Sequence, residues 1–345
     1  MKKLFLSLVA LVMATMSYAQ SKLVATLTHG DKVTMYDGAS AFKKAYNAAQ
    51  SGDVITLSGG SFSGVTISKA VTIRGTGIDE TVPTEISSMG INIPENDTCR
   101  FSIEGVRIEH GYFYGSCSEP YFIKCKFSEV SFYDGDSYSA SSIKDATFVN
   151  CKFEKSLTVY GSTTAKLSHC YVHSYSNGGY RNYDPGKAEF LNCIIRGDLN
   201  QFRRSSFVNS ILIGNDSSTL PGETLAMNCT AFSAEDGVFD YQTVVYFNDE
   251  IYAYMQGSEI SCSTSTCEEV FKSYRGRYSD SETFELTEDA TTKFLGTDDT
   301  QIGLYGGKYP YNSTPAYPRI TKLNVAKQST ADDKLSVDIE VSAAE

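Results

Sequence analysis

Between residues 54 and 310, apolar side chains recur two and three positions apart, with almost none of the three-and-four spacing of a helix. The clearest unit is FVNCKF at 148–153, which returns as FLNCII at 190–195 and FVNSIL at 207–212. Weaker copies are FIKCKF at 122–127 and LSHCYV at 167–172. Its central small residue falls at Val106, Cys125, Cys151, Cys170, Cys193, Ser210 and Cys229, at intervals of 17 to 26 residues. Irregular periods of that length belong to solenoids whose coils carry loops of varying size.

The spacing inside the unit predicts its backbone. Within a strand, side chains two apart share a face, as Cys151 and Phe153 do. Phe148 and Cys151 are three apart, so both point inward only if the chain turns a corner between them. Asn150, Asn192, Asn209 and Asn228 occupy that corner, and Asn tolerates the left-handed conformation of a tight bend better than other non-glycine residues. The repeat is strand, corner, strand. Stacked coils then form three interior columns: Phe122, Phe148, Leu167, Phe190 and Phe207; the thiols; and Phe127, Phe153, Val172, Ile195 and Leu212. Lys126, Lys152, Glu154, His173 and Arg196, which alternate with these, are expected to face solvent.

Two segments depart from the pattern. DGASAFKKAYNAAQSGD puts Phe42, Ala45, Tyr46 and Ala49 on one helical face, and predicts an amphipathic helix that starts with Asp37 or Ser40 as a cap, stops at Gly52 and covers the first coil. At the other end, residues 251–300 lose the repeat and form either a last irregular coil or a covering loop. Pro310, Pro315 and Pro318 mark a stiff exit, and KLSVDIEV at 334–341 belongs to a β-hairpin.

MKKLFLSLVALVMATMSYAQ has the basic start, short apolar run and small residues of an export signal cut after Ala19. No later stretch is long and apolar enough for a membrane span. The expected organisation is therefore 1–19 signal peptide, 20–52 strand and capping helix, 53–310 coils, and 311–345 exit segment and hairpin. A net charge of −11 repels phosphate backbones and argues against nucleic acid as a partner. Nine cysteines in an exported chain would suggest disulfides, but five of them sit in the repeat as small buried hydrophobes. Cys262 and Cys267 are the best pair for a bridge; Cys99 and Cys117 remain undecided.

The helix followed by GDVITLSGGSF (52–62), AVTIRGTG (70–77) and the Asn-Cys coils resembles the pectin-lyase-like superfamily. That resemblance implies an all-β fold, a single-stranded right-handed parallel β-helix with an N-terminal capping helix and a short C-terminal β-hairpin. IGLYGGKYPYNSTPAYPRI (302–320) with the tail is similar to the ends of secreted Bacteroidetes β-helix proteins. Catalytic members of the superfamily cut acidic polysaccharides on one strand face. Lyases use a basic residue with Ca²⁺ or Arg, and hydrolases use paired carboxylates. The polygalacturonase signatures are absent here, although Asp298-Asp299 occurs in the irregular C-terminal part.

Three positions after each central residue come Glu109, Ser128, Glu154, His173 and Arg196. Glu154, His173 and Arg196 are the catalytic candidates, as acid, base and charge clamp; the competing reading is a solvated ladder of mixed charge. The chain has 23 Tyr and no Trp. Tyr112, Tyr114, Tyr171, Tyr175, Tyr180 and Tyr183 are candidate platforms for sugar rings, against the plainer reading that Tyr is simply favoured on strands. Four scattered histidines indicate no metal site, and Ca²⁺ enters only under the lyase reading. The leading expectation is a secreted or surface-exposed monomer that binds polysaccharide or cell-surface glycan without catalysis. The alternatives are a polysaccharide lyase or glycoside hydrolase, and a structural or adhesive spacer.

Overall fold

The computed structural model describes residues 23–94, 97, 99–113, 116–132, 142–160, 163–176, 186–198, 202, 204–214, 225–233, 246–247, 250–251, 266–325 and 337–342. The expected signal segment and Tyr114, Tyr180, Tyr183 and Cys262 lie outside these residues. Among the described residues, no helix is long and apolar enough to cross a membrane.

The chain forms a parallel β-solenoid. Strands alternate between two sheets, so that Ala146–Val149 joins the first and Lys152–Val159 the second, and each pairs in parallel with its equivalents one coil away. The corner between them is left-handed in coil after coil: Gly105 (φ 68), Lys124 (52), Asn150 (55), His169 (52), Asn192 (52), Asn209 (51) and Asn228 (49). The bend does not interrupt the backbone ladder. Asn150 N–H donates to Ser168 O at 3.0 Å, and His169 N–H to Leu191 O at 3.0 Å.

The predicted columns stack as expected. Phe122, Phe148, Leu167, Phe190 and Phe207 are in direct register, with the Phe122 and Phe148 rings parallel at 4.6 Å. Phe127, Phe153, Val172, Ile195 and Leu212 form the second apolar column. Between them the thiols are free and buried, each serving its neighbour: Cys151 N–H points at Cys170 Sγ and Cys170 N–H at Cys193 Sγ, both at 3.4 Å. Fully burying each Phe stabilises the coil by roughly 1.5–3 kcal/mol.

At the N-terminus, the antiparallel pair Val24–His29 and Lys32–Asp37 extends the first sheet. Helix α1 (Ala41–Ala48) buries Ala41, Phe42, Ala45 and Tyr46 into the same core, with Phe42 edge-on to Phe62 at 6.4 Å. It ends at Ala49, where the backbone becomes extended, earlier than the Gly52 stop that the sequence suggests.

The C-terminal third differs from the expected boundaries. The last described coil strand is Thr230–Ser233, and residues 266–317 are not a coil. They carry α2 (Cys267–Val270), entered through a Thr266/Glu269 capping box, and α3 (Glu288–Lys293), and they pack on the outside of the solenoid. The chain then runs back down the corner column as a strap. Thr297 N–H donates to Asn209 Oδ1 (2.9 Å), and Gly303 N–H to Asn209 O (2.9 Å). His169 Nε2 meets Gly306 O (3.0 Å), Lys124 Nζ donates to Thr314 O, and Tyr317 hydroxyl donates to Gly75 O. Arg319–Val325 and Val337–Ser342 pair as the antiparallel C-terminal hairpin.

This cover forms a second core, in which Tyr171, Ile194, Ile211 and Ile213 meet Val270, Phe271, Tyr274, Phe284 and Leu286. It also corrects the expectation that Lys126 and Lys152 face solvent, because both point outward yet are only 8% and 5% exposed.

Candidate functional site

The outward column of the second sheet runs, in register, Ser61, Glu85, Arg107, Lys126, Lys152, Tyr171, Ile194 and Ile211. Its early half is charged and its late half apolar. The cover lies over the apolar half, and its edge, Tyr278 and Asp280, reaches the charged half. There Asp280 takes hydrogen bonds from Lys126 and lies 3.9 Å from Arg107. Burial pushes its carboxyl up, but the hydrogen bond and charge of Lys126, the Arg107 charge and a hydrogen bond from Tyr278 together outweigh this and hold it below the usual carboxylate range.

Beside this edge an open trough of about 340 Å³ follows the early rungs, lined by Ser61, Glu85, Arg107, Glu109, Ser128 and Glu154. It shares Glu154 with a second hollow of about 370 Å³ that holds His173, Arg196 and Arg277. The three catalytic candidates therefore do lie on adjacent rungs, half-buried at the margin of the cover. Their hydrogen bonds decide what they can do. Arg196 has only donors, so at 3.3 Å its Nη1 donates to His173 Nε2, which must accept. His173 Nδ1 then donates to the Tyr171 hydroxyl at 2.9 Å, and that hydroxyl donates to Tyr274 at 3.2 Å. Burial, and then the Arg196 charge, hold the His173 pKa below its ordinary value, with Glu154 opposing. The imidazole is thus neutral but has no open lone pair, and Glu154 is engaged with Lys126 at 3.3 Å. The trio ties the coil to its cover.

Lys152 is the other buried lysine of the outward column. Burial lowers its pKa, partly offset by Asp79 at 4.0 Å. Its side chain is 7% exposed beneath the strap, in a cleft of about 500 Å³ with Arg107, Asp280, Tyr305 and Tyr311, and it does not line the trough.

The tyrosine platforms need correction. Tyr171 is wholly buried under the cover, stacked on Phe284 with centroids 4.1 Å apart. Tyr175 is 1% exposed inside the coil, edge-on to Phe190 at 5.2 Å with its hydroxyl on Ser205. Neither ring is available to a sugar. Tyr112 is half-buried and stacks on His110 at 5.8 Å. Cys267, the described member of the proposed bridge, is a free buried thiol. Among the described residues, no three His, Cys, Asp or Glu side chains are placed to hold a metal ion.

Asp280, Tyr278 and Tyr274 are not signalled by the sequence, and Lys152 enters there only as a solvent-facing residue. The available signal was the outward column itself. CIIRG (193–197) and SILIG (210–214) are apolar on both faces, the mark of a parallel strand covered on both sides. No protein-family model, curated protein or solved structure matches the chain.

Proposed function

We propose that the protein is an exported β-helix protein of the pectin-lyase-like type that binds glycan along the trough without cutting it. The observation that carries this reading is that the candidate acid and base are tied, Glu154 with Lys126 and His173 with Arg196 and Tyr171, as Glu85 is with Arg107, while among the described residues Glu109 stands exposed in the trough with no basic group beside it but His110. A general base needs a free lone pair within reach of the proton it takes, and His173 has none. An open strip of hydroxyls, carboxylates and cations at strand spacing instead suits hydrogen bonding to the hydroxyls of an extended sugar chain. Export is supported by the basic-then-apolar opening of the sequence.

The test is a glycan array read together with turnover assays on acidic polysaccharides. The wild-type protein should bind, Ser128→Arg in the trough floor should abolish binding, and neither unsaturated uronate nor new reducing ends should form. Product formation that disappears in His173→Gln would overturn the non-catalytic reading in favour of a lyase or hydrolase. Tyr175→Ala is no test of a platform, because it removes a core ring.

A further inference from the structure

Beside the outward column that starts at Ser61, a second one runs Glu109, Ser128, Glu154, His173 and Arg196 along the open side of the cover. After Arg196 the next rung is Ile213, in register with it and fully buried in the second core. The column is thus open from Glu109 to Arg196 and closed beyond. A sugar chain that follows it toward the late coils has no further rung to occupy, so one end of the chain falls at this level.

At that closed end the open hollow of about 370 Å³ gathers positive charge. Arg196 and Lys155 line it from the coils and Arg277 from the cover, against one carboxylate, Glu154, which already faces Lys126 at 3.3 Å. Arg196 is half-buried, and its one hydrogen bond among the described residues goes to the neutral imidazole of His173. No carboxylate of the described residues pairs with Arg196, Lys155 or Arg277. Elsewhere in this chain of net charge −11 cations are matched: Lys126 by Asp280, Lys166 by Asp145, Lys272 by Glu285 and Arg275 by Glu268. A guanidinium drawn out of water without a counter-charge is unfavourable, and an arriving anion offsets that penalty. Its paired N–H donors also match two oxygens of a carboxylate or sulfate. The early rungs are unlike this end. There Glu85, Glu109 and Glu154 line the trough and would repel a charge repeated along the chain.

We infer that the hollow at Arg196 receives an anionic terminal residue of the glycan that lies in the trough, its carboxylate or sulfate bonded by Arg196 and flanked by Lys155 and Arg277. The inference rests on the glycan-binding reading and adds to it a direction and a chemical class. The chain ends at the cover with its charged residue, and neutral residues extend over Glu154, Ser128 and Glu109 toward the early coils.

The full-length mature protein is titrated with hexasaccharides of β-glucan, mannan and galactan. Each is used unmodified, carboxylated or sulfated on one terminal residue, and carrying the same group on an internal residue. At least one terminally charged hexasaccharide should bind about tenfold tighter than both its unmodified parent and its internally charged isomer. Lys155→Ala combined with Arg277→Ala, both exposed and outside the second core, should bring it to within about twofold of the parent with the Tm unchanged. Arg196→Gln, which keeps a donor for His173, should weaken the charged hexasaccharide more than the parent. Lys308→Ala, an equal loss of charge elsewhere on the surface, should change neither by more than about twofold. The larger gain, from carboxylate or from sulfate, assigns the group. Equal binding of charged and parent hexasaccharides overturns the inference and leaves the trough standing. So does a preference that survives the double substitution, or one as strong for internal charge. If no hexasaccharide binds in any form, the glycan-binding reading and this inference fall together.

Discussion

The early and late coils share the same inward columns and corners, yet their outer faces have opposite fates. On the early rungs the outward column is Glu85, Arg107, Lys126 and Lys152; on the late rungs it is Tyr171, Ile194 and Ile211. The apolar half acquires a second core from residues 267–304, whereas on the charged half Tyr278, Asp280 and Tyr311 reach over Lys126 and Lys152, and a trough is left open beside them along Glu85 and Arg107. One strand position, varied along the stack, thus decides where the C-terminal segment docks and where a ligand has room. The inward residues make the solenoid, and the outward ones divide it into a covered part and a working part.

Exchanging the character of the two halves gives the largest expected effect. Ile194→Lys places an unpaired ammonium under Tyr274 and Phe284 and should cost roughly 3–5 kcal/mol in urea unfolding. A loss below about 1 kcal/mol would mean that the cover is not seated there. Next comes the corner that holds the strap. Asn209→Ala loses both bonds to Thr297 and forces Ala into φ near +51°, for about 2–3 kcal/mol. Asn209→Gly relieves the backbone and should recover about 1 kcal/mol of that; equal losses would show that the conformation is unimportant.

The reverse exchange is smaller. Lys152→Met removes a buried ammonium whose counter-ion, Asp79, is 49% exposed and remains hydrated. Stability should therefore be unchanged or rise by up to about 1 kcal/mol, and a clear loss would show Lys152 to be a structural ion pair.

The smallest effect is in pH dependence. The folded His173 pKa lies below its ordinary 6.5, so between the two values the unfolded chain binds the extra proton. Stability should fall as pH drops below about 6.5 and level off once the folded imidazole is also charged. His173→Gln should flatten the Tm slope between pH 7 and 5.5; an unchanged slope removes His173 from the linkage. Acid loss at still lower pH belongs to carboxylates such as Asp280, whose folded pKa lies below 3.8.

What was legible in the sequence follows from the same division. The three-residue step from Phe148 to Cys151 required a corner, and Asn at four corners made it visible. Lys124 and His169 take the same left-handed conformation, which neither residue type announces; only their place in the period does. The solvent-facing expectation failed at Lys126 and Lys152 because their covering residues, Tyr278 to Tyr311, come more than 120 positions later in the chain, and no local pattern predicts so distant a contact. Tyr171 and Tyr175 misled for a related reason. Both occur in a polar-looking stretch, but one fills the second core and the other replaces an inward apolar residue at a coil end. Glu154, His173 and Arg196 were correctly placed on adjacent rungs, while their role depended on Tyr171 and Tyr274, which only the folded chain brings together.

Amide hydrogen exchange at Thr297, Ile302 and Gly303 tests the docked strap most directly, since these N–H groups donate to Asn209 Oδ1, Phe294 O and Asn209 O. Protection within about tenfold of the Asn192 and Asn209 corner amides is the predicted result. Exchange at the rate of an open chain, with those corner amides still protected, would contradict a late outer face buried beneath the C-terminal segment.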